Sequence, residues 1–142
     1  MKKPMILGIA AIAAMGVAGW WAVPTNKDAP PVTSEGAPLV AVTLPASLSV
    51  QQGLGETAFN AKCAACHGEN AAGRNGSGPP LVHVIYEPNH HGDYAFEMAA
   101  QNGVQSHHWR FGNMPPVEGL TRADVGAIVA YVRVLQRTNG IN

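Results

Sequence analysis

Ala61-Lys62-Cys63-Ala64-Ala65-Cys66-His67-Gly68 holds the only two cysteines in a chain of 142 residues. Three residues apart on a helical turn, the two thiols point to the same side. A histidine directly after the second can bring its imidazole under a ring to which both thiols are bonded. The arrangement suits covalent haem: each cysteine adds to one vinyl group, and His67 is left to coordinate the iron axially. Other uses of paired cysteines fit less well. A disulfide oxidoreductase expects a βαβ context that is missing around the pair, and a zinc site needs further ligands at metal spacing. A structural disulfide would close so short a loop that it adds little stability.

An iron held by one histidine has a sixth position, and what fills it separates electron transfer from ligand chemistry. Met98 and Met114 are the methionines beyond residue 23. Met98 stands between Tyr94, Phe96 and small residues, where a methionine serves as a flexible core filler. Met114 stands in Phe111-Gly112-Asn113-Met114-Pro115-Pro116. Glycine there permits a turn and the two prolines stiffen the chain beyond the methionine, so a thioether is presented from a loop of low entropy. Met114 is the candidate sixth ligand, and a neutral, soft sulfur favours ferrous iron more than a second imidazole does.

Around these residues the chain reads as helices. The first is expected over 50–62, with Ser49 as cap and Gln52 completing a capping box. The second is expected to begin after Asp93 as its cap, to cover YAFEMAAQ, and to stop at Asn102-Gly103. The third starts at Thr121, with Asp124 in its first turn and Leu120 placed to staple onto Val125. Its apolar stripe is Val125, Ile128, Val132 and Leu135; Arg133 and Arg137 suit the negative end of its dipole, and Asn139-Gly140 ends it. No stretch alternates like a sheet strand, so the fold expected is all-α with long loops.

Lys and Arg number 9 against 9 Asp and Glu, so there is no cationic surplus to hold a nucleic acid by counterion release. Residues 5–23, MILGIAAIAAMGVAGWWAV, carry no charge, and as a helix they reach about 29 Å, close to a hydrocarbon core of about 30 Å. Lys2 and Lys3 precede this run, and Trp20 and Trp21 fall where an aromatic belt meets the far interface. The expectation is a membrane anchor over 1–23 in a bacterial-type inner membrane, with everything after it exported to the periplasm. A cleaved signal peptide, with small residues Gly16 and Ala18 ahead of the cut, is the competing reading. Five prolines among small and polar residues make 24–48 a linker; within it LVAVTL (39–44) is the stretch able to lie against a domain as a short strand. The working domain is then 49–142.

GETAFNAKCAACHG (55–68), GPPL (78–81), GNMPP (112–116) and LTRADVGAIVAYVR (120–133) together resemble class I c-type cytochromes, in motif and in order. The resemblance implies a small fold of three or more helices around one covalently attached haem c, preceded here by the membrane helix. It implies that Gly55 and Phe59 pack against the last helix near Ile128 and Tyr131. It also implies that the Pro79 carbonyl orients His67 through Nδ1 while Leu81 lines the haem pocket. The cofactor-binding set is therefore Cys63, Cys66, His67, Met114, Pro79 and Leu81, with His67 and Met114 on the metal. The implied role is that of a carrier and not an enzyme: one-electron transfer to or from a quinol-oxidising complex, a dehydrogenase or a terminal oxidase.

The stretch between GPPL and the methionine loop departs from the family pattern. It holds His83, the pairs His90-His91 and His107-His108, and Trp109. As polar loop residues they need no further role; a hydrogen bond to a haem propionate from His108, Trp109 or Arg110 is a second use, and copper held by the histidine pairs a third. A haem sensor or peroxidase-like domain in which Met114 leaves the iron, and a copper-handling accessory, are the other functional classes these residues allow.

Overall fold

The computed structural model describes residues 34–142. The apolar segment 5–23 and the linker as far as residue 33 lie outside the described residues. Among the described residues no helix is long and apolar enough to cross a membrane.

Four helices, α1 (Val50–Lys62), α2 (Ala64–His67), α3 (Asp93–Asn102) and α4 (Arg122–Thr138), succeed one another with two short 3-10 turns at Glu69–Ala71 and Val84–Tyr86. Among the described residues there is no sheet; two isolated bridges pair Arg74 with Gly78 and Val104 with Met114. The domain is all-α.

α1 starts where the sequence places it. Ser49 Oγ accepts from the Gln52 amide at 3.3 Å, and Gln52 Oε1 accepts from the Ser49 amide at 2.8 Å, satisfying two donors that the first turn leaves open. α4 repeats the device with Thr121 and Asp124. α3 differs by one residue from expectation. Its N-cap is Gly92, with no side-chain cap bond, and Asp93 is the first helical residue. The Asp93 carboxylate instead accepts from Arg133 Nε at 2.8 Å, a charge-assisted bond that outcompetes a local cap.

α1 and α4 cross in the most extensive helix contact of the domain. A glycine makes the crossing: a Cβ on Gly55 would fall 1.9 Å from the Ala127 carbonyl oxygen, so no other residue fits without parting the helices. One turn further, Phe59 meets Tyr131 with ring centroids 5.8 Å apart. Both rings are buried with Ala71, Leu81, Val82, Ile128, Val132 and Leu135 in one cluster. Burial of each large apolar side chain contributes about 1.5–3 kcal/mol, far more than helix propensity does. The Tyr131 hydroxyl donates to Asn70 Oδ1 at 3.2 Å, tying α4 to the turn after His67. Burial, reinforced by Glu56, pushes this hydroxyl up to about 12, so it stays a donor at every physiological pH.

Arg133 is not a solvated charge at the end of a dipole, as its position in the sequence suggests. It is buried. Its guanidinium donates to Asp93, to the Tyr86 carbonyl at 2.7 Å, to the His91 carbonyl at 2.5 Å and to Gln136 Oε1 at 2.6 Å. It also lies 4.9 Å from the Phe96 ring centroid. Gln136, wholly buried, passes its amide on to the carbonyls of Leu81 and Tyr86. A buried cation is tolerable only when its donors are satisfied in this way, and the satisfied network fixes the loop 81–92 against α4.

Residues 36–43 lie against the domain without forming a strand. Leu39 and Val40 amides both donate to the Ala72 carbonyl at 3.1 Å, and Asn139 closes a two-bond clasp on Thr43.

Candidate functional site

The chain turns sharply at Cys63, where α1 ends and α2 begins: the Cys63 amide still donates to Phe59 at 2.7 Å, and the His67 amide donates to the Cys63 carbonyl at 2.9 Å. One helical turn thus carries both thiols and the imidazole. Burial, with Cys66 adding to it, pushes the Cys63 thiol up to about 11. This is the reverse of the low-pKa thiolate that disulfide exchange requires.

His67 Nδ1 lies 2.9 Å from the Pro79 carbonyl oxygen. A carbonyl only accepts, so Nδ1 carries the proton and Nε2 keeps its lone pair. Burial lowers the His67 pKa, the Pro79 bond opposing it, and the ring is neutral and able to ligate. Pro79 is held by its flanking residues. The amides of Leu81 and Val82 both donate to the Ala71 carbonyl, and Gly73 donates to the His67 carbonyl at 2.7 Å, so the 67–82 loop closes on itself around the imidazole.

A cavity of about 720 Å³ opens beside this turn, and Cys63, Cys66, His67, Pro79, Leu81 and Met114 all line it. The structure therefore brings the six residues singled out from the sequence to one place. Phe59, Phe96 and Ile128 supply apolar wall. Met114 reaches the cavity from the loop after α3. Its amide and carbonyl exchange two hydrogen bonds with Val104, at 3.0 and 2.9 Å, and this bridge holds the 103–121 loop closed. Gly103, at φ +74°, makes room for it: a Cβ there would stand 2.4 Å from the Met114 carbonyl oxygen.

Three further features belong to the site. Met98 lines the same cavity and is not a plain core filler; its sulfur accepts from Asn102 Nδ2 at 3.7 Å. Trp109 also lines the cavity, and its Nε1 is buried without a partner of hydrogen-bond geometry. Burial raises the pKa of the neighbouring Tyr86 hydroxyl, with the Trp109 indole only partly offsetting the shift. Third, the two histidine pairs meet. His90 Nε2 and His108 Nε2 are 3.4 Å apart, and the rings of His91 and His107 stack on this contact. Partial desolvation and the other three imidazoles lower the pKa of His108.

The donor set fits a covalently attached haem. Two thiols, a neutral imidazole with a free nitrogen and a thioether share one largely apolar cavity, and a buried indole N–H there still lacks an acceptor such as a carboxylate. No curated protein matches the chain. The model of the cytochrome c family matches residues 53–136, from the first turn of α1 to the end of the buried face of α4. With that match spanning more than half of the chain, and with Cys63 and Cys66 its only cysteines, the chain belongs to the cytochrome c family, whose members carry covalently attached haem c and transfer electrons.

Proposed function

We propose that this chain is a monohaem carrier that holds its iron between His67 and Met114 and passes single electrons between respiratory proteins. Haem supplies a reversible one-electron iron couple when bound. The chain's own residues do the rest. Cys63 and Cys66 are the thiols that would hold the group, and Pro79 keeps the His67 ring from rotating away. Phe59, Leu81 and Ile128 exclude water from the wall of the cavity, which favours the less charged, reduced state. Met114 adds a neutral sulfur on a loop that the Val104 bridge and two prolines stiffen, so a change of oxidation state needs little movement of the chain. Cys66 is exposed, which puts one attachment point within reach of a partner's surface. Contacts between redox partners are typically small and transient. A quinol-oxidising complex, a dehydrogenase or a terminal oxidase is the partner, with residues 5–23 anchoring the domain on the periplasmic side of an inner membrane.

The observation that carries this reading is the convergence of His67, already oriented by Pro79, and Met114 on one cavity. The test uses both methionines that line it. Met114→Ala is expected to abolish the sulfur-to-iron charge-transfer absorption of the oxidised protein and to lower the reduction potential. Met98→Ala is expected to leave that band in place. A wild type without the band, or a band lost with Met98 and kept without Met114, overturns the assignment.

A further inference from the structure

Among the described residues, one group of three side chains could close on a single metal ion: His90, His91 and His108, with one nitrogen from each within 4.8 Å of the others. The residues come from two loops, on either side of α3, so nothing in local sequence brings them together. Two imidazole nitrogens bound at about 2.0–2.1 Å to one ion stand about 2.9 Å apart when cis in a square plane and about 3.4 Å apart in a tetrahedron, and His90 Nε2 and His108 Nε2, at 3.4 Å, lie within a small side-chain adjustment of either.

His91 uses its second ring nitrogen as ligating histidines do in metal sites, donating that N–H to a carbonyl. His91 Nδ1 is 2.6 Å from the Ile85 carbonyl oxygen, which leaves its lone pair on Nε2. His107, packed on His108 with ring centroids 4.3 Å apart, does the same with the Gln105 carbonyl at 2.8 Å. Both loops are pinned. Arg133 holds the His91 carbonyl, and Asn113 Oδ1 accepts from the Ser106 amide at 2.9 Å. His83 is the contrasting case: its Nδ1 accepts from the Ile85 amide at 3.2 Å and caps a 3-10 turn, so it takes no part.

We propose that His90, His91 and His108 form a binding site for a divalent first-row transition ion, Cu²⁺ most tightly, with His107 beside it. An all-imidazole donor set suits Cu²⁺, Zn²⁺ and Ni²⁺ over Mg²⁺ or Ca²⁺, and among these the divalent affinity order places Cu²⁺ first. His90 and His108 are exposed, so an ion enters from solvent. His91, His107 and His108 also line the cavity, so the ion sits at its rim and clamps the 84–91 loop to the 105–113 loop. The site uses none of Cys63, Cys66, His67 or Met114, and it stands or falls separately from the reading above.

The test is calorimetric titration of the haem-loaded protein, stripped of all other metal ions, with CuCl₂ and, separately, ZnCl₂, with electron paramagnetic resonance on the copper sample. One Cu²⁺ per chain with nitrogen hyperfine structure is expected, with Zn²⁺ bound more weakly and the haem absorption unchanged. A His90→Ala, His108→Ala double variant is expected to weaken Cu²⁺ binding by about 100-fold or more. His83→Gln is expected to bind as the wild type does, and far-UV circular dichroism checks that each variant keeps its helices. Absence of stoichiometric uptake overturns the proposal. So does an equal affinity of the double variant and the wild type, or a loss in His83→Gln as large as in the double variant.

Discussion

The wall of the cavity that carries the cysteines and the wall that carries Met114 are built by different physics. The cysteine wall is the end of α1, and α1 is fixed by its crossing with α4, by the buried Phe59–Tyr131 pair and by the Tyr131 bond to Asn70. The methionine wall is a loop, closed by two backbone hydrogen bonds between Val104 and Met114 and by the turn at Gly103. Packing of large apolar side chains contributes several times what two solvent-near hydrogen bonds do. His67 is thus held by the core and Met114 by a clasp. The two ends of one cofactor site need not share a stability: the clasp can open while the core stays folded.

The same substitution made in each wall tests this most strongly. Gly55→Ala drives a methyl group into the Ala127 carbonyl, whose oxygen would lie 1.9 Å away on a helix that cannot yield locally. Destabilisation by about 3 kcal/mol or more is expected, with both walls lost together in one cooperative transition. Urea denaturation monitored by tryptophan fluorescence and by far-UV circular dichroism measures it. Two separated transitions, or a loss under about 1 kcal/mol, would show that the crossing does not hold the cysteine wall.

Gly103→Ala is the counterpart in the loop. It combines a left-handed φ of +74° with a 2.4 Å approach to the Met114 carbonyl, but here the obstructing segment can move. Left-handed backbone costs a residue with Cβ about 1–2 kcal/mol, and a total near 2 kcal/mol is expected. The signature is local. The amides of Val104 and Met114 should exchange with deuterium faster, while those of Cys63 and His67 keep their protection. Uniform acceleration across both walls would merge the two regions into one cooperative unit.

Legibility in the sequence divides along the same line. The limits of α1 and the start of α4 could be read because their signals are local: a cap, its partner three residues on, and an apolar stripe. The Pro79 contact and the place of Met114 on the same cavity wall as CAACH were legible through motif and order. The features that escaped were set by distant residues. Asp93 reads as a helix cap until Arg133, 40 residues later, is found to take its carboxylate. Arg133 reads as a charge suited to the negative end of the α4 dipole until Asp93 and the carbonyls of Tyr86 and His91 are seen to surround it. Met98 lines the cavity because α3 folds back over it, which no pattern of period 3.6 reveals. His90 and His108 are 18 residues apart in the chain, and only the return of the loop past α3 makes them neighbours.

The smallest expected effect separates the two helices of the frame themselves. Both open on a capping box, but α1 uses the neutral Gln52 and α4 the ionised Asp124. The Thr121 hydroxyl and amide, each donating to Asp124 Oδ2, at 2.6 and 2.8 Å, hold this carboxyl below its ordinary value of 3.8. A carboxyl whose folded pKa is depressed contributes stability above its unfolded pKa and loses it as pH falls through the folded one. The contribution of Asp124 is therefore complete at pH 7 and is withdrawn below pH 3.8. Asp124→Asn keeps an oxygen for the same donors but removes the charge, so the gap in melting temperature between wild type and variant should shrink to nothing through that acid range. Gln52→Ala, made in the other box, should show a gap that stays constant with pH, because nothing in that box titrates. A pH-independent gap for Asp124→Asn would mean that the charge contributes nothing and that both helices are started by hydrogen bonding alone.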